Sequence, residues 1–276
     1  MTTHSLIKSV QEQKHSEIGL LLGGLHYTGD LNQRFNIINY IGPGGTLFYQ
    51  RNAVNDRFAW RTSLSAGRFS ASDKDSKDPY LVNRNLSVRT FIAELSTQVV
   101  FNFFPYEIGG QTPGLVFPFT PYLFFGAGFF YHQPMANLDG TWYNLRDMDT
   151  EGQASIVYKR KRAWPVQFTL PMGLGIKAAF AKKMSVGVEW GIRKIYTDYI
   201  DDVSSTYAAV SVIEKERGNI AASLSDRSLS TSDANNINAN VGRQRGNPNR
   251  KDWYSFLGVT ISWRIDDNKG KCPSYK

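Results

Sequence analysis

Between Asp252 and Arg264 the chain alternates: Trp253, Ser255, Leu257, Val259, Ile261 and Trp263 share one parity, and Tyr254, Phe256, Gly258, Thr260 and Ser262 the other. Successive side chains of a strand point to opposite faces, so this pattern predicts a β-strand with one apolar face, bracketed by tryptophans. The two indoles are ten residues apart. At a rise of about 3.3 Å per residue and a tilt near ~40°, they stand roughly 25 Å apart along a membrane normal, the height of the apolar band of a transmembrane barrel. Trp253 and Trp263 are therefore expected to sit at the two membrane interfaces.

Seven further segments repeat the alternation: residues 17–27, 45–51, 58–69, 87–103, 119–132, 166–180 and 184–193. With the last segment they make eight, an even number as bacterial outer-membrane barrels require. The links alternate too. Those after the second, fourth and sixth segments (52–56, 104–118, 181–183) include two tight ones, whereas 28–44, 70–86, 133–165 and 194–251 are all long. One trimmed rim and one elaborate rim predict periplasmic turns and extracellular loops. The expected fold is all-β: an eight-stranded antiparallel transmembrane barrel over 17–265, with an unstructured segment 1–16 before it and a periplasmic tail 266–276 after it.

Composition agrees. The chain has 276 residues, 13% of them aromatic, and 24 glycines, which fits one large β-domain. The nearest approach to a spanning helix, 116–131, is broken by Pro118, Pro121, Gly126 and Gly128. A chain of this kind crosses a bilayer only as a closed barrel. Its mean hydropathy of −0.36 is no objection, because only alternate residues of each strand meet lipid. The first sixteen residues contain no apolar signal core, so either translation starts upstream, the favoured reading because Glu17 begins a strand at once, or a signal has been trimmed, or the membrane reading fails.

Charged residues fall on the inward parity: Glu17, Arg61, Glu94, Lys177 and Glu189. An eight-stranded interior is only wide enough for side chains to fill. These groups are thus expected to form a polar network in a filled lumen, packed with Tyr122, Gln98 and Gln167, with inward glycines making room. The single Cys272 excludes an internal disulfide and a cysteine-based zinc site, and the four histidines lack metal-ligand spacing. No cofactor is expected. The net charge of +8 is scattered apart from Lys159–Arg162, so nucleic acid is not an expected partner. That run belongs to an outer loop and either pairs with lipopolysaccharide phosphates or is simply solvated. No serine, histidine and carboxylate arrangement marks a hydrolase. His26 and His132 are expected as interfacial rings, and the Ser- and Asn-rich stretch 223–249 as a mobile insertion.

Three stretches carry a family resemblance: EIGLLLGGLHYTGDLN at 17–32, GPGGTLFY at 42–49, and RGNPNRKDWYSFLGVTISW at 245–263 followed by Cys272-Pro273. Together with the eight-strand layout the chain resembles the PorG-type outer-membrane barrels of Bacteroidota, a component of the type IX secretion apparatus. The resemblance implies a small barrel set among outer-membrane lipids and lipopolysaccharide. Its periplasmic side would associate with a ring built by a lipoprotein and its partner, anchoring secretion or gliding machinery without catalysis or conduction. The chain departs from that family in showing no signal peptide and in its long fourth loop. By topology, Asp56, Tyr106, Lys182, Lys183, Asp266 and Cys272 are the candidates for the periplasmic contact. A second class stays open, a surface barrel whose extracellular loops bind ligands or host surfaces.

Overall fold

The computed structural model describes residues 16–32, 41–52, 57–109 and 118–265. The strands are β1 (Ser16–Thr28), β2 (Ile41–Asn52), β3 (Phe58–Ser72), β4 (Ser87–Asn102), β5 (Phe119–Leu138), β6 (Thr141–Asn144), β7 (Val166–Ala181), β8 (Met184–Ile195) and β9 (Trp253–Ile265). Every wall strand is antiparallel to both neighbours, and the pairings β1–β9 and β4–β5 join what would otherwise be free edges. The wall is a closed eight-stranded barrel, as the alternation requires. The short β6 lies outside it, paired only with Met135–Leu138 at the far end of β5.

Closure follows from the alternation. Each strand turns its apolar parity outward, giving a belt that includes Leu22, Leu47, Leu64, Leu95, Phe125, Leu174, Val188 and Leu257, between 44% and 59% exposed. Water would penalise such a surface by roughly 25 cal/mol for every Å² left wet, while hydrocarbon does not. With no sheet edge left to hydrogen-bond, this is the architecture of an integral outer-membrane barrel. Aromatic side chains collect at both ends of the belt: Phe58, Trp60, Phe119 and Trp263 at one, Phe91, Tyr131 and Tyr196 at the other, with Trp253 half-buried beside Lys194.

The inner face is built by size matching. A Cβ on Gly175 would lie 2.5 Å from the Tyr122 ring, and one on Gly173 or Gly191 2.6 Å from the tip of Phe124. Those glycines of β7 and β8 are what allow two aromatic rings to cross the lumen.

At one end, α1 (Pro79–Arg84), α2 (Leu145–Met148), α3 (Val210–Arg217) and α4 (Asn219–Ser225) gather with the links into a folded head. Its core continues that of the barrel. Tyr27, Phe69, Ile92, Phe130 and Phe256 of the wall share one apolar cluster with Leu86, Leu145, Ile200, Val203 and Leu224 of the links. The stretch 223–249, expected to be mobile, is ordered within this head. Its polar residues cap their own backbone: Asn235 N donates to Asp233 Oδ1 (3.0 Å) and Asn238 N to Asn236 Oδ1 (2.9 Å), while Asn240 Nδ2 reaches Asp226 Oδ2 (2.8 Å). Asn and Asp do this better than any other residues, so a composition suggestive of disorder here encodes turns.

Candidate functional site

Three tiers of side chains fill the barrel. In the middle tier, β3 and β8 bring Arg61 Nη1 to 2.5 Å from Glu189 Oε2, and Tyr122 Oη donates to the same oxygen at 2.7 Å. Arg61 Nε donates to Gln50 Oε1 (3.1 Å), and its guanidinium lies 4.7 Å from the centre of the Phe48 ring. A buried ion pair survives desolvation only when its remaining donors and lone pairs are met in this way.

Nearer the head, Arg193 Nε approaches Glu94 Oε2 at 3.3 Å, and Tyr254 Oη donates to that oxygen at 2.6 Å. Ser96 Oγ donates to Glu94 Oε1 at 2.9 Å, and Gln98 Nε2 donates to Ser96 Oγ at 3.1 Å. Arg193 and Tyr254 were not among the expected network residues, although both share the inward parity of their strands. In the tier farthest from the head, Glu17 is buried and accepts a long bond from Ser262 Oγ (3.4 Å).

Lys177 is buried in the lumen, as its parity implies, but no carboxylate of the described residues hydrogen-bonds it. Its ammonium makes no hydrogen bond among the described residues and lies 4.7 Å and 5.3 Å from the ring centres of Tyr106 and Tyr122. The forked Arg61 takes Glu189, and aromatic faces receive the lysine. Gln167 leaves the expected lumen packing, donating to Trp164 O at 2.8 Å near the head.

The rim away from the head corrects one candidate. Tyr106, expected to face a partner, is 0% exposed. Residues 103–109, after β4, fold back beneath the lumen, so this ring forms part of the plug. Arg264 holds the link, bonding Glu107 Oε1 (2.9 Å) and Ile108 O (2.8 Å). Gly109, at φ +70°, packs so closely on the β7–β8 turn that a Cβ would meet Lys182 O at 2.0 Å. Lys182 and Lys183 are that turn, and both are exposed. Asp56, Asp266 and Cys272 lie outside the described residues.

The head is held by buried charge. Arg245 Nη1 donates to Glu151 Oε1 (2.9 Å) and Asp202 O (2.6 Å), while Glu151 also accepts from Ser204 N (2.9 Å), Ser205 N (3.0 Å) and Ser205 Oγ (2.6 Å). Arg84 forks onto Asp73 at 2.7 Å and 2.8 Å. The basic run is partly consumed here: Arg160 donates to Glu151 O and Thr206 O, both at 2.8 Å, and Arg162 forks onto Asp149 at 2.6 Å and 2.8 Å. His26 and His132 are buried instead of interfacial, with Asn32 Nδ2 3.3 Å from His26 Nε2 and Trp164 O 3.3 Å from His132 Nε2. The head covers the strand ends where a lipid interface was expected.

Beside the Arg245 network lies a group of carboxyls. Tyr27 Oη donates to Asp201 Oδ2 at 2.5 Å and lies 3.3 Å from Asp252 Oδ1. Burial, and then the charge of Asp30, raises Asp201 well above the ordinary carboxylate range; burial and then Asp201 do the same to Asp252. Burial pushes Asp198 and Asp202 up to about 7. Sequence reasoning missed this group, and the adjacent Asp201-Asp202 within a polar loop was its one visible sign.

A family model described as "Domain of unknown function (DUF6089)" matches residues 2–223. No curated protein matches the chain. Among solved structures it is similar to Ail, the attachment invasion locus protein of Yersinia pestis, at 9% identity and a TM-score of 0.42, over 92% of this chain and 99% of that one. It is also similar to Neisserial surface protein A (8%, TM-score 0.41, 92% and 97%) and to a major outer membrane protein of Thermus thermophilus (12%, TM-score 0.40, 91% and 99%).

Proposed function

The chain belongs to the DUF6089 family, whose description names no activity, and we propose that it is a non-catalytic outer-membrane anchor in a protein-secretion or gliding apparatus of the type IX kind. In this role the head faces outward and the opposite rim, with Lys182 and Lys183, holds a ring of periplasmic lipoprotein. The observation that carries the reading is the filled lumen: among the described residues Arg61, Glu189 and Tyr122 are bonded to one another across its middle tier. What such a barrel offers to the cell is its two ends. The motifs at 17–32, 42–49 and 245–263 add the link to secretion.

Affinity capture of the tagged barrel from detergent-solubilised, crosslinked envelope tests the reading. A lipoprotein and its periplasmic partner co-purify, and Lys182→Glu with Lys183→Glu reduces their recovery several-fold while the barrel keeps its heat-modifiable gel mobility. Undiminished recovery argues against this rim as the contact.

A second reading, ligand binding by the head, is favoured by the order of that head, since a loop cluster built on buried Arg245 and Arg84 presents a fixed outer surface. Loss of cell-surface binding after replacement of the exposed segment 232–237 by a Gly/Ser linker, with the Arg245 framework kept, supports it.

A further inference from the structure

A groove of about 560 Å³ opens on the outside of the wall, where β8 and β9 pass beneath the head. Its floor includes Trp190, Ile192 and Trp253, and its roof is the end of the long link, with Arg250 and Lys251. The volume lies in the range of sites that hold small ligands.

Two features define what fits there. The floor residues belong to the outward faces of β8 and β9, and the same faces run on into the belt through Val188, Leu257 and Val259, all exposed. One end of the groove therefore opens into hydrocarbon, where an acyl chain is the available solvent. The other end is cationic. Lys194, Arg250 and Lys251 are exposed at or beside the mouth, with Lys194 Nζ 6.0 Å from the centre of the Trp253 ring. Lys251 Nζ donates to Pro248 O at 2.8 Å, and an ammonium carries three donors. The nearby carboxyls Asp30, Asp198 and Asp252 are buried, and Arg250 and Lys251 stand close enough to Asp30 and Asp198 respectively to offset part of their charge. Asp252 is turned towards Tyr27 and Ile200 N, and Asp30 accepts from Asn247 N.

An apolar trough with a basic lip matches an amphiphile whose chain lies along the wall and whose phosphate meets the lip. Charge-assisted N–H···O contacts to phosphate are among the stronger hydrogen bonds. A zwitterionic lipid supplies the same chain but brings its own cation to the lysines. We propose that this groove is a binding site for a phosphorylated lipid of the head-side leaflet, one acyl chain on Trp190, Ile192 and Trp253, its phosphate on Lys194, Arg250 and Lys251. The site rests on the membrane placement given under Proposed function.

The test uses the full chain reconstituted in phosphatidylcholine nanodiscs, with lipid A as the probe, bound lipid being counted by native mass spectrometry after release into detergent. The wild type retains lipid A in preference to phosphatidylcholine. Lys194→Gln with Lys251→Gln weakens that retention by about tenfold or more, each surface cation contributing on the order of one kcal/mol towards an anionic lipid. Ile192→Trp, which fills the trough without touching the charges, abolishes it too. Heat-modifiable mobility reports that each variant is folded. Equal retention of the two lipids by the wild type, or unchanged lipid A retention in both variants, overturns the proposal. A barrel that fails to enter nanodiscs at all would instead refute the membrane placement.

Discussion

Arg61 keeps a full charge inside the barrel because Glu189, Tyr122 and Gln50 reach it from three other strands. Removing one partner strands the other in a dry interior. Arg61→Met is expected to destabilise the barrel by about 3–5 kcal/mol, and Arg61→Met with Glu189→Met to recover most of that loss, as replacement of a buried pair by apolar groups usually does. Urea unfolding followed by gel mobility measures both; a single variant as stable as the double one would contradict this account of the middle tier. At this scale the sequence was informative about direction and silent about partner. Parity put Arg61, Glu94 and Glu189 inside, but Arg61 and Glu189 are 128 positions apart, and alternation holds no information on which groups meet across a lumen. Lys177 was thus expected in the polar network with no partner specified, and it stands against the rings of Tyr106 and Tyr122. Tyr106 lies in a link with no periodicity, so nothing in its surroundings marked it as a plug.

Among the elements, the wall strands were legible because hydrocarbon on one side and a narrow lumen on the other impose a period of two. Their outer ends were not. β3 runs to Ser72 and β5 to Leu138, past the expected 69 and 132, because there the strands leave the lipid and enter the head. Burial then falls on both parities: His26 and Ser255 have the outward parity and are buried all the same. The head itself was invisible, since its core uses scattered apolar residues and its order depends on carboxyls meeting arginines from distant links. Those carboxyls make it sensitive to pH. Asp198 and Asp202 are raised to about 7 by burial, so the folded head holds protons that a loosened head releases. Their contribution is therefore complete below the ordinary aspartate value of about 4 and is lost as pH rises through about 7. Protection of the 196–252 link from protease is expected to be greater near pH ~5 than near pH ~8, with barrel mobility on gels unchanged, and Asp202→Asn to flatten the difference. Protection that increases with pH would show that these groups ionise without penalty.

For the whole molecule, the wall, the filled lumen and the head act together. A closed sheet satisfies its own backbone, an apolar exterior selects lipid, and three tiers of side chains fill the interior, while the head, the opposite rim and the lipid-facing groove are the surfaces the proposals above draw on. All of this depends on hydrocarbon contacting the belt. Nitroxide labels placed singly at Leu64, Leu95, Val188 and Leu257 in bilayers, with Ser63 as an inward control, test it most directly through collision with oxygen and with a water-soluble nickel chelate. The account predicts that the four belt labels collide freely with oxygen and are shielded from the chelate, and that the label at Ser63 is shielded from both. Belt labels open to the aqueous chelate would contradict it.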